Sequence, residues 1–149
     1  MQQNFKTAKD VSEHLLELTG GALMAGDFEL FLTCFQLPYR LETFEGNRVL
    51  NTSEDLRVVF DAVRAHYNKC GVTQMFRHCV EARFRDPATI AATHETRLIS
   101  GTVITQEPFA VYSILEHTGE KWVITSSSYA IGDREDHNSA LLGAGTSAD

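Results

Sequence analysis

The spacing of apolar residues changes once along this chain, near residue 72, and that change limits what the chain can fold into. Before it the spacing is helical. Val11, Leu15, Leu18 and Ala22 recur at intervals of four, three and four, on one face of a helix. Leu56, Val59, Phe60, Val63 and Tyr67 form a second stripe of the same kind. After residue 72 the period is two. Val72, Gln74, Phe76, His78, Val80, Ala82 and Phe84 alternate with Thr73, Met75, Arg77, Cys79, Glu81 and Arg83. The first set is the more apolar, so it is assigned to the buried face of a strand. Ile90, Ala92, His94, Thr96 and Leu98 line the next strand, and Phe109, Val111, Ser113 and Leu115 the one after Pro108. Trp122, Ile124, Ser126 and Ser128 continue that face on the last strand. Helices first and strands second make an α+β domain, with helices packed against an antiparallel sheet.

Local signals mark the boundaries. Thr7 followed by Asp10 has the form of a capping box, and Thr52 or Ser53 caps the later helix, with Glu54 and Asp55 at its positive end. Gly26 then Asp27 ends one helix and opens a short one carrying Phe28, Phe31 and Phe35, and Gly71 stops the long helix. Gly20–Gly21 is costly inside the first helix, which points either to close packing there or to a weak point. Residues 37–50 read as extended, turning at Glu45-Gly46-Asn47. Asp86-Pro87 breaks the strand run, and Thr118-Gly119 suits a tight turn. Residues 1–131 then form a single domain, and the small, polar residues 132–149 a flexible tail.

Charge and cysteine content exclude several functions. A net charge of −7, with basic residues scattered, gives no electrostatic footprint for nucleic acid or an anionic membrane surface. Cys34, Cys70 and Cys79 form no CxxC pair, so neither a metal site nor a redox motif is indicated, and free thiols suit a reducing compartment. The amino terminus lacks the apolar core of a signal peptide, and no apolar run could cross a bilayer, so a cytoplasmic location is expected. No Gly-rich phosphate loop, HExxH or GxSxG motif occurs, and no cofactor is called for.

The order helix, short helix, hairpin, longer helix, then long antiparallel strands resembles the nuclear transport factor 2-like superfamily, including its SnoaL-like branch. The resemblance spans about residues 8–131. It rests on this order, on Phe28 to Phe35 leading into the first strand, and on the ending Gly119-Glu120-Lys121-Trp122-Val123-Ile124. It implies a cone-shaped curved sheet packed against about three N-terminal helices, with a cavity inside. Members include ketosteroid isomerase, scytalone dehydratase, polyketide cyclases and proteins without catalytic activity, so the fold does not select the function.

Candidate residues follow from the inner face. His78 and His94 are expected to face each other, directly or diagonally, and imidazoles so placed can move protons near neutral pH. The resemblance to scytalone dehydratase-like members implies acid–base work for such a pair; the alternative is two buried neutral histidines bonded to Thr96 or water. Glu42 lies near the position where ketosteroid isomerase-like members place a carboxylate base, and an exposed pair with Arg40 is its ordinary reading. No Asp occupies that strand. Tyr39, Thr96, Ser113, Ser126 and Trp122 are expected to touch a ligand. The reading is a cavity for a small, largely apolar molecule, with isomerase, dehydratase or cyclase chemistry on His78, His94 and Glu42, or with binding alone. The outer face, with Arg77, Glu81, Arg83 and Arg85, is expected to form a homodimer contact through the sheet.

Overall fold

The computed structural model describes residues 7–132 and 134–143. Its first helix, α1 (Ala8–Ala25), begins where Thr7 Oγ1 accepts the Asp10 amide, as the sequence requires. It ends at Gly26, whose φ of 76° is the left-handed conformation that glycine adopts without strain. Arg64 donates to the Leu23 carbonyl there, satisfying an orphan acceptor of the last turn. Asp27 then caps α2 (Phe28–Thr33) through the Leu30 amide.

Next come β1 (Phe35–Thr43) and β2 (Gly46–Leu50), joined through Phe44 and Glu45, one residue earlier than the sequence suggested. The helix α3 (Ser53–Lys69) carries a complete capping box between Thr52 and Asp55. All five residues of its expected stripe are buried.

The strands are β3 (Gln74–Asp86), β4 (Thr89–Ser100), the two-residue β5 (Val103–Ile104), β6 (Phe109–His117) and β7 (Trp122–Ala130). They form one curved, unclosed sheet in the order β2-β1-β7-β6-β4-β3, with β5 paired to the end of β4. Every pairing is antiparallel except β1 with β7, which run parallel and are separated in the chain by α3 and the five strands β2 to β6. The helices pack on the inner face. Phe28 and Phe31 meet Phe60 at ring-centroid distances of 5.4 and 4.9 Å, joining α2 to α3.

Two bulges decide which side chains enter that space. In β3, Cys79 pairs with His94 and Glu81 with Thr93, so Val80 is the extra residue. An extra residue reverses the alternation, and the inner face therefore reads Met75, Arg77, Cys79, then Ala82 and Phe84. Gln74, Phe76, His78 and Val80 were expected inside and are not: Phe76 and Val80 are 51 % and 58 % exposed. In β7, Ile114 pairs with Ser126 but Leu115 with Ile124, leaving Thr125 as the extra residue. Trp122 and Ile124 keep their inward phase, and Ser127 and Tyr129 replace Ser126 and Ser128 beyond the bulge.

The chain after Ile131 is not a tail throughout. A short helix, α4 (Glu135–Leu141), packs on α3 with His137, Asn138, Ala140 and Leu141 buried. Asn138 Nδ2 donates to the Ile131 carbonyl at 3.1 Å, fastening it to the end of β7. The rest of the expected tail, 144–149, lies outside the described residues, as do 1–6. No helix among the described residues is long and apolar enough to cross a membrane.

Candidate functional site

Between α1, α3 and the inner face of the sheet lies a cavity of about 60 Å³. Leu15, Phe31, Leu56, Val59, Phe60 and Ile124 make most of its wall apolar. Most of its polar groups come from the strands: Arg77 on β3, His94 and Thr96 on β4, Ser113 on β6, Ser127 and Tyr129 on β7, and Tyr39 on β1; Ser12 and Thr19 of α1 and Tyr67 of α3 complete them.

Arg77 lies opposite Thr96 in the β3–β4 ladder, on the cavity side. Its Nη1 donates to Thr19 Oγ1 at 3.0 Å and more weakly to the Leu16 carbonyl at 3.4 Å. A side chain at Gly20 would begin 3.3 Å from that nitrogen, which accounts for a glycine in mid-helix: α1 comes close to the guanidinium there. Arg77 Nε is buried and has no hydrogen-bond partner. Burial pulls the Arg77 pKa down, and the nearby phenols of Tyr129, Tyr67 and Tyr39 pull it back up.

His94 is 5 % exposed, and burial followed by the Arg77 charge pushes its pKa down to about 2. It is a neutral imidazole at any ordinary pH. Tyr39, 2 % exposed, bonds to Ser127 and Tyr129, and burial raises its pKa well above the usual phenol range. Tyr129 shifts upward for the same reason. Both phenols therefore keep their protons and act as hydrogen-bonding groups. Ser113 Oγ and Ser127 Oγ are 2.9 Å apart.

The expected residues thus divide. Tyr39, His94, Thr96 and Ser113 line the cavity. His78 does not: it pairs with Glu95, whose neighbours on β4 are the cavity-facing His94 and Thr96, so the two histidines point to opposite faces of the sheet. Ser126 also points outward, because the β7 bulge gives its place to Ser127. Glu42 lies on the outer face as well, exposed, where its Oε1 accepts from Ser128 Oγ at 3.0 Å. Trp122 sits at the rim, 6.0 Å from Phe84 and 5.2 Å from His117, away from the cavity wall. Arg77, Tyr129 and Ser127 are the residues that alternation alone missed. Arg77, expected outside among the dimer contacts, belongs to the cavity, and Met75 and Cys79 share its face.

A second polar cluster lies behind the cavity, where α4 meets α3. Tyr67 Oη is 3.1 Å from His137 Nε2, and Gln106 Nε2 is 3.2 Å from His137 Nδ1. The amide of Gln106 donates, so Nδ1 accepts and Nε2–H donates to the phenol, which is the neutral tautomer. Burial pushes the His137 pKa down to about 3, in agreement. Beside it, His66, Cys70 and Asp136 bring three possible metal-ligating atoms within 4.8 Å of one another. Arg134 already supplies a cation there: its Nε is 3.3 Å from Asp136 Oδ1, and its Nη2 is 3.9 Å from Cys70 Sγ.

No protein-family model and no curated protein matches the sequence. Solved structures do match it in shape. One is a domain of unknown function with a cystatin-like fold from Nostoc punctiforme, at a TM-score of 0.67 and 15% identity, covering 85% of this chain and 78% of that one. An NTF-2 like protein of unknown function from Shewanella oneidensis matches at 0.64 and 15% identity, covering 82% and 98%. A ketosteroid isomerase-like protein from Erwinia carotovora atroseptica matches at 0.59 and 14% identity, covering 85% and 97%. At such identities the likeness speaks for the fold alone, and the helices, the open curved sheet and these matches together show that this chain has the nuclear transport factor 2-like fold.

Proposed function

We propose that the chain binds a small, largely apolar molecule inside its cavity. One observation supports this most: an apolar chamber into which a few hydrogen-bonding groups converge from five different strands. That is the general form of a small-molecule site, where apolar walls give affinity and few polar groups give orientation. Binding is favoured over isomerase, dehydratase or cyclase chemistry by the state of the groups present. A general base works best with a pKa near the operating pH, and His94 is held far below it. His78 and Glu42 lie on the other face and supply no partner. The test is occupancy: small aromatic alcohols should perturb cavity residues, and Ala92→Leu, which fills the chamber from β4, should prevent it.

A second reading concerns the outer sheet face. Phe76, Val80 and Tyr112 are 51 %, 58 % and 40 % exposed there. Exposed aromatic and branched residues on one sheet face can mark an association surface, and a second copy of this chain is the partner we propose for them.

A further inference from the structure

We propose that the molecule held in the cavity is an anion, a small monocarboxylic acid of about benzoate size whose carboxylate pairs with Arg77. The inference rests on the ligand-binding reading above and names the chemical class that the site would take.

The guanidinium is incompletely used. Nη1 is committed to Thr19 Oγ1 and Leu16 O, while Nε is buried and unpaired. Buried donors nearly always have an acceptor, so an unpaired one beside an internal chamber indicates that the acceptor arrives with something else. The charge is also unanswered. None of the ion pairs among the described residues includes Arg77, and no Asp or Glu is among the residues lining the cavity. A guanidinium cannot shed its proton near neutral pH, so a half-buried one that faces the chamber without a carboxylate partner favours an anion beside it. On its other side Arg77 borders a shallow groove with Glu13 and Glu17, and neither forms an ion pair with it among the described residues.

The remaining wall suits the rest of such a molecule. Tyr39, Tyr67 and Tyr129 lie close enough to Arg77 to interact with its charge; Tyr39 donates its proton to Tyr129, and Tyr67 and Tyr129 as neutral phenols can donate to an anion beside it. Phe31, Phe60, Leu56 and Val59 offer an apolar surface for a ring or short chain. The free space of about 60 Å³ is several times the roughly 10–15 Å³ that a single water needs. A planar guanidinium recognises a carboxylate by direction as well as charge, and that separates an acid from its neutral isostere.

The experiment is calorimetric titration of the full chain, near neutral pH, with benzoate, benzamide and benzyl alcohol. Benzoate should bind about tenfold or more tighter than benzamide, the difference expected for a charge-assisted pair. Arg77→Met should remove that preference, so that benzoate and benzamide bind the variant within a few-fold of each other. The comparison in the unmodified chain stands even if Arg77→Met fails to fold. Benzamide or benzyl alcohol binding as tightly as benzoate would overturn the anion assignment while leaving the cavity reading intact. Binding of none of the three would overturn both.

Discussion

The guanidinium of Arg77 is tied to the hydroxyl of Thr19 by a 3.0 Å hydrogen bond that joins the sheet edge to α1 across the cavity wall. Thr19 is 2 % exposed and also donates to the Leu15 carbonyl at 2.8 Å, so the acceptor is held in place by its own helix. Gly20 is the residue that lets the two elements come this close.

That relationship makes the glycine pair an internally controlled test. Alanine in place of glycine inside a helix gains about 0.5–1 kcal/mol from propensity. Gly21 has open space where a Cβ would go, so Gly21→Ala should raise stability by about that amount. Gly20→Ala should gain less or nothing, because its methyl meets Arg77 Nη1 at 3.3 Å. Denaturant unfolding of the two variants side by side measures the difference. Equal stabilisation would mean that the guanidinium yields freely.

The sheet explains which parts of the site can be read from residues alone. On β4 and β6 strict alternation survives, and Ala92, His94, Thr96, Ser113 and Leu115 face inward as their spacing requires. On β3 and β7 a single extra residue reverses the faces, and alternation carried through Val80 or Thr125 assigns every side chain on one side of it wrongly. His78 and Ser126 were lost from the site in this way, and Arg77, Ser127 and Tyr129 were gained. Bulges leave little mark on composition, since the extra residue is ordinary. The helices were legible because capping residues and apolar stripes are local. Helix α4 was not, because its buried face includes His137 and Asn138, whose burial depends on partners from α3, Gln106 and the end of β7.

Acid should destabilise the fold through His94 and His137. Their folded-state pKa values, about 2 and about 3, lie below the usual 6.5, so below pH 6.5 the unfolded chain binds more protons than the folded one. The stability is present above 6.5 and is lost as pH falls toward 3, at up to about 1.4 kcal/mol per pH unit for each histidine. Urea titrations across that range should show the fall, and His137→Gln should flatten it by about one proton. An unchanged slope in His137→Gln would show that this imidazole is not the titrating group.

Helix α4 should contribute to the core, although it lies near the chain end. Leu141 is 3 % exposed and lines the cavity, so Leu141→Ala should cost about 2–5 kcal/mol, the usual range for a buried leucine. A loss below about 0.5 kcal/mol in thermal or denaturant unfolding, typical of surface substitutions, would place that helix outside the cooperative fold.

On the outer face, Phe76→Glu should weaken self-association without unfolding the chain, because Phe76 is already half in solvent. Sedimentation velocity reads the outcome directly. A chain that is monomeric before the substitution would remove the dimer reading.

The central claim is that the chamber between α1, α3 and the sheet holds a small, largely apolar molecule. Two-dimensional amide NMR during titration with benzyl alcohol tests this most directly. The expected result is saturable shifts at Thr96, Ser113 and Ser127 on the inner face, none at His78 or Ser126 on the outer face, and their loss in Ala92→Leu. Shifts confined to outer-face amides, or inner-face shifts that persist in Ala92→Leu, would contradict it.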